Sequence, residues 1–176
     1  LPTDKSEVTS RKTVDTTTKI SRNLTLKYPI IASPMDTISD VETCVALNSI
    51  GAAGVLHRFM SIEEQVEKAR EIEKRSGKCY VAVGLQDYKE RVMQLSPYAE
   101  LFMLDSANGS NVLVENFIRW YKEVGFPQDV VIGNTLTKAS VSRAINLGAS
   151  GMRHGIGIGA ACLTTDMTGI GCPPVT

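Results

Sequence analysis

Six short apolar runs, at residues 30–33, 52–57, 79–84, 101–106, 130–134 and 151–155, recur at centres roughly 21 to 28 residues apart, the length of one strand–helix unit. Each run is continuously apolar rather than alternating, the pattern of a parallel strand buried on both faces. Helical patterns lie between them. Residues 61–75 set Ile62, Val66, Ala69 and Ile72 on one face with charges elsewhere, and Ser61 followed by Glu64 reads as a capping box. Residues 41–50, 88–95, 111–124 and 138–147 complete the alternation, and Gly51 and Gly148 stand just past two of these helices.

Strict βα alternation demands a parallel sheet, either doubly wound or closed into a (βα)8 TIM barrel. The residues at the strand ends favour the barrel. Ser33 with Met35-Asp36, His57-Arg58, Gly84, Asp105-Ser106, Gly133-Asn134 and Arg153 are groups able to react or admit a ligand. A barrel collects all six ends at one mouth, whereas an open sheet gathers only those beside its switch point. The expectation is therefore an α/β chain supplying about six βα units, a single catalytic-barrel domain over residues 1–176 that is incomplete on its C-terminal side. Two further units are expected from residues outside this sequence.

Composition narrows the partners. The chain has 176 residues, 43% of them hydrophobic, enough for one sizeable core. Lysine plus arginine equals aspartate plus glutamate at 19 each, so no field of one sign points to nucleic acid or an anionic membrane. No apolar run approaches the roughly 20 residues of a membrane span, and the polar start is unlike a signal peptide. A cytoplasmic location is expected. Cys44, Cys79, Cys162 and Cys172 form no C-x-x-C pair, which argues against zinc and gives no disulfide framework. Cys44 and Cys79 fall in helical and strand patterns and read as small buried hydrophobes, while Cys162 and Cys172 fall in loop.

The segment with most chemistry is Gly155-Ile-Gly-Ile-Gly-Ala-Ala-Cys-Leu-Thr164. Alternate glycines let a backbone present its own N–H and C=O groups to a phosphate or an ion, and Cys162 would face whatever is held there. The competing reading is a linker with an incidental thiol. A dinucleotide fingerprint fails, because Cys162 occupies the position of its last glycine. Asp105 could bind ribose hydroxyls or merely cap the next helix. Arg153 could contact a phosphate or base, or be a surface arginine. His57 reads as packed or hydrogen-bonded, and Met35 as a soft side chain able to lie against a heterocycle or fill the core.

Taken in order, Ser6-Glu-Val with Ser10-Arg-Lys-Thr-Val-Asp15, Ile31-Ala-Ser-Pro-Met-Asp-Thr37, Gly54-Val-Leu-His-Arg-Phe59, Leu104-Asp-Ser-Ala-Asn-Gly109, Ile132-Gly-Asn134 and the cysteine loop through Gly169-Ile-Gly171 resemble the IMP dehydrogenase and GMP reductase family. The resemblance implies a (βα)8 barrel, usually a homotetramer, acting on a purine nucleotide monophosphate. It makes Cys162 the nucleophile that attacks C2 of the purine and Thr164 a helper in proton transfer and water handling. It places Ser33, Met35, Asn134 and Arg153 around the nucleotide base, Asp105 and Ser106 at the ribose of a nicotinamide cofactor, and Gly155 and Gly157 against the nicotinamide. Carbonyls of Gly157, Gly159 and Cys162 match a potassium site. Hydride would pass to NAD in a dehydrogenase, or from NADPH in a reductase.

The chain departs from the family loop at three places. Ile158 replaces a proline, Ala160 replaces a serine that bonds the nucleotide phosphate, and Thr165 replaces arginine or glutamine. Loss of that hydroxyl removes one hydrogen bond worth on the order of 1 to 3 kcal/mol if unreplaced. Pro174 also stands where a glutamine is usual. The direct join Lys74-Arg-Ser-Gly-Lys-Cys79 leaves no room for a regulatory CBS-type insert, and with Ala107-Asn-Gly109 and Thr168-Gly169 it suits a reductase. Ser33-Pro-Met-Asp-Thr37 and Met60-Ser-Ile-Glu-Glu-Gln65 look more like dehydrogenases. The balance leans to IMP dehydrogenase, with GMP reductase as the alternative and a non-catalytic nucleotide-binding barrel as a third reading.

Overall fold

A computed structural model of the protein describes residues 7–156 and 162–171. Six parallel strands lie side by side in sequence order: β3 (Ile31–Ala32), β4 (Ala53–Leu56), β5 (Tyr80–Val83), β6 (Leu101–Asp105), β7 (Asp129–Thr135) and β8 (Gly151–His154). Between them run α1 (Val41–Ile50), α2 (Ile62–Ser76), α3 (Tyr88–Leu95), α4 (Val112–Val124) and α5 (Lys138–Leu147), and α6 (Thr164–Thr168) follows β8. The sheet curls into part of a TIM barrel. Among the described residues its order never reverses and shows no switch point, which decides against the doubly wound alternative.

The continuous apolar runs are explained by two separate cores. Leu56, Val81, Val83, Phe102, Leu104, Val130 and Ile132 point to one face and pack with Ala69, Ile72, Val92, Phe117 and Ala144 of the helices. Their alternates Ala53, Val55, Tyr80, Ala82, Leu101, Met103 and Val131 fill the concave face. A strand with apolar neighbours on both sides has no polar position to alternate with. One side-chain cluster is aromatic, with Phe117, Trp120 and Tyr121 of α4 meeting Tyr88 and Phe126 at ring-centroid distances of 5.0–6.4 Å.

The helix ends follow the expected chemistry, with one refinement. Gly51 and Gly148 adopt φ of 87° and 86°, the left-handed conformation that a β-carbon disfavours. Ser61 Oγ accepts from Glu64 N as expected, but the Glu64 carboxylate turns to Lys68 Nζ at 3.2 Å. The reciprocal capping box forms at α5, between Thr137 and Ser140.

A hairpin ahead of the sheet has no counterpart in the sequence reading. Ahead of the sheet, β1 (Thr18–Lys19) and β2 (Thr25–Leu26) make a short antiparallel hairpin whose Ile20 and Leu26 close the foot of the concave core. Asp129, at the start of β7, holds its tip: it accepts from Ser21 Oγ at 2.6 Å, Asn23 N at 2.8 Å and Asn23 Nδ2 at 2.9 Å. Burial alone would raise the Asp129 carboxyl, but these bonds and one from Ser150 outweigh it and hold the group below the usual carboxylate range.

Candidate active site

At the C-terminal ends of the strands a run of polar side chains ties β4, β6, β7 and β8 together. Arg58, just past β4, donates from Nε to Asp105 Oδ2 at 3.2 Å and lies over the Phe59 ring, 4.8 Å from its centroid. Asp105 closes β6, and its other oxygen accepts from Arg153 Nη2 on β8 at 2.5 Å. Arg153 Nε donates to Asn134 Oδ1 at 2.6 Å, and Asn134 Nδ2 donates to the Gly155 carbonyl at 2.9 Å. The chain of contacts thus ends on the first residue of the glycine loop.

A bulge at the end of β7 sets Asn134 in this line. The β7–β8 register passes from Gly133↔Arg153 to Thr135↔His154, leaving Asn134 as the extra residue of a bulge, and the Gly133–Asn134 peptide is cis. Asn134 N donates to the Ser106 carbonyl at 2.6 Å and Ser106 N to the Gly133 carbonyl at 3.2 Å, which locks the ends of β6 and β7 to each other. Gly133 is small for a reason: a β-carbon there would stand 3.0 Å from Arg153 Nε and 3.3 Å from its Cβ.

Two guanidiniums therefore converge on one carboxylate that is only 16% exposed, leaving a net positive charge at the mouth. Asp105 keeps unused lone pairs on both oxygens, so it can still accept from a hydroxyl of a ligand. These groups fit an anionic, ribose-bearing molecule.

Asp105, Asn134, Arg153 and Gly155, with the backbone of Ser106, are brought together. The helix-capping role considered for Asp105 is overturned, since Asn111 Oδ1 caps α4 by accepting from Leu113 N at 2.9 Å. The surface-arginine reading of Arg153 is likewise overturned by its bonds to Asp105 and Asn134. His57 is buried, accepts at Nδ1 from Phe59 N and stacks on Phe59, the packed histidine expected. Ser33 and Met35 follow β3 at the other edge of the sheet, both exposed, and Met35 N donates to the Ser33 carbonyl. Met35 therefore does not fill the core.

Cys162 is exposed, two residues ahead of α6, and Thr164 is the first residue of that helix. Gly157, Gly159 and Ala160 lie outside the described residues, and with them two of the three expected cation carbonyls and the altered phosphate position; Ile158, Cys172 and Pro174 do too. Cys44 and Cys79 are buried as expected, and burial pushes the Cys44 thiol up to about 12 and raises that of Cys79 as well. No helix among the described residues is long and apolar enough to cross a membrane.

The sequence profile of the IMP dehydrogenase / GMP reductase domain matches residues 1–176. The chain belongs to that family. Relatives within it carry both names. An inosine-5'-monophosphate dehydrogenase of Cryptosporidium parvum is 27% identical over 97% of this chain and 53% of its own length. A GMP reductase of Onchocerca volvulus is 29% identical over 98% of this chain and 50% of its own. A GMP reductase of Leishmania donovani reaches 49% identity over 70 residues, 40% of this chain and 14% of that protein. The chain spans about half the length of the full-span relatives.

In this IMP dehydrogenase / GMP reductase domain, three polar residues next to the site escaped the sequence reading. Gln65 of α2 and Arg91 of α3 are buried, and Asp87 precedes α3. Arg91 donates to Asp87 Oδ2 from both Nε (3.0 Å) and Nη2 (2.6 Å), which holds the Asp87 carboxyl below its ordinary value. Asp87 and Arg91, with Arg58, Gly84, Leu85 and Gln86, border a cleft of about 210 Å³. Spacing does carry the signal: Gln65 sits three after Ile62 and four before Ala69, and Arg91 three after Tyr88 and four before Leu95, both on apolar faces.

Proposed function

We propose that the protein carrying this chain is a purine nucleotide oxidoreductase of the IMP dehydrogenase type. What supports the reading most is the match of the family profile along the whole chain, with Asp105, Arg153, Asn134 and Gly155 joined in one network at the strand ends.

In this reading the Cys162 thiolate adds to C2 of IMP, making that carbon tetrahedral and able to give up hydride. A nicotinamide dinucleotide, when bound, supplies the hydride acceptor. Loss of hydride leaves a thioimidate on Cys162; water then adds at C2 and expels the thiolate to release XMP, with Thr164 handling the proton. Arg153 and Asn134 orient the purine with Ser33 and Met35 beside it, while Asp105 and Ser106 receive the ribose of the dinucleotide. Gly155 would border the nicotinamide. The proposal extends to a potassium requirement through the cysteine loop, a homotetramer, a cytoplasmic location and a single barrel domain.

GMP reduction with NADPH is the second reading. It is favoured by the short passage from α2 to β5, in which Gly77 ends the helix and Tyr80 already begins the strand. The deciding experiment gives the natural protein IMP with NAD⁺ and, separately, GMP with NADPH, in potassium buffer, and repeats both with Cys162→Ala. NADH production lost in the variant supports the first reading, and NADPH consumption lost in the variant supports the second. Turnover that survives the substitution, or none with either pair, overturns the covalent mechanism.

A further inference from the structure

Gln65 uses both donors and one acceptor site of its amide, and all three bonds lie in the buried layer behind the mouth. Its Nε2 donates to the carbonyls of His57 (3.0 Å) and Ala82 (2.9 Å), the ends of β4 and β5, and its Oε1 accepts from Arg91 Nη1 at 2.7 Å. Arg91 in turn reaches the Met60 carbonyl at 3.2 Å and is neutralised by Asp87. The segment between the two anchored carbonyls, His57 and Met60, contains Arg58, which holds Asp105.

We propose that Gln65 and Arg91 are positioning residues for the cofactor side of the site: they clamp the loop after β4 so that Arg58 meets Asp105. This rests on the reading of Asp105 as a cofactor-ribose group. A packing role alone would be met by any apolar side chain of similar volume. A glutamine whose two donors both go to strand-end carbonyls instead fixes where those strands stop, because losing either bond leaves a buried carbonyl unpaired.

The test compares Gln65→Leu, which fills the volume without donors, with Gln65→Glu, which keeps the acceptor for Arg91 but loses both donors. Two readouts are taken on the natural protein. Amide hydrogen exchange of residues 57–60 should rise about tenfold in both variants while α4 keeps its protection. In steady-state kinetics the KM for the dinucleotide should rise about fivefold or more, with the nucleotide KM within about twofold of the parent value. Unchanged exchange at residues 57–60, or equal rises in both KM values, overturns the proposal. A variant that unfolds is replaced by Arg91→Lys, which must show the same local exchange. Because exchange needs no turnover, failure of the oxidoreductase reading shows itself separately, as an inactive parent protein.

Discussion

Asp105 separates two positive groups, and its charge decides whether Arg58 and Arg153 attract a common partner or repel each other. Asp105→Asn should lower kcat/KM by about 100-fold, since it removes a ligand acceptor and frees both guanidiniums at once. Steady-state kinetics with the productive nucleotide and cofactor pair measure this, and a loss under about threefold would show that Asp105 is not in the site. Gly133→Ala probes the same place from the other side. Its new methyl would push on the Arg153 side chain, so the nucleotide KM should rise several-fold at a stability cost of about 1 to 3 kcal/mol. Thiol chemistry gives a third residue-level outcome. With Cys44 pushed up to about 12 and Cys79 raised by burial, iodoacetamide at pH 8 should label exposed Cys162 well before either. Peptide mass spectrometry reads the order, and equal labelling of Cys44 in folded protein would contradict it.

Among the elements, α4 carries the largest buried aromatic surface, and Phe117 lies at its centre between Tyr88, Trp120 and Tyr121. Phe117→Ala should cost about 3 to 5 kcal/mol in urea denaturation, because a ring-sized cavity cannot be refilled from a helix fixed at both ends. Long elements like this one were legible in the sequence, with helices 41–50, 88–95 and 138–147 matching their observed bounds. The hairpin β1–β2 was not, since two-residue strands with polar partners carry no periodicity to read. Nor was α6, five residues rich in threonine, a poor helix former. The site was legible where a strand end coincides with a reactive side chain, as at Asp105, Asn134 and Arg153. It was illegible where position depends on tertiary partners: Arg58 pairs across 47 residues of sequence, and although spacing puts Gln65 on an apolar face, nothing local shows that it reaches the ends of β4 and β5.

Across the whole molecule, strand ends and strand starts do different jobs. The mouth gathers charge for a ligand, while the foot is sealed by Ile20, Leu26 and the Asp129 bonds. Asp129→Ala should therefore lower stability by about 2 to 3 kcal/mol, stranding Ser21 and Asn23, and leave both KM values unchanged. The pH dependence follows in sign. The folded Asp129 carboxyl lies below its unfolded value of 3.8, so its contribution is complete above that pH and fades as pH falls through the lower, folded value. Acid titration of stability in parent and variant should converge below pH 3.8, and a gap that widens on acidification would refute the assignment.

The strictly sequential sheet also bears on how the chain assembles during synthesis. Each strand from β4 to β8 pairs with the one made just before it, so a nascent chain can add βα units one at a time without waiting for distant sequence. The bonds of Asp129 to Ser21 and Asn23 depart from this, joining residues 108 and 106 apart. The foot, whose hairpin precedes the sheet in sequence, is thus finished only once β7 has been made. Until β7 leaves the ribosome the hairpin has no partner for its polar tip, and Ile20 and Leu26 are the apolar surface that a chaperone would meet.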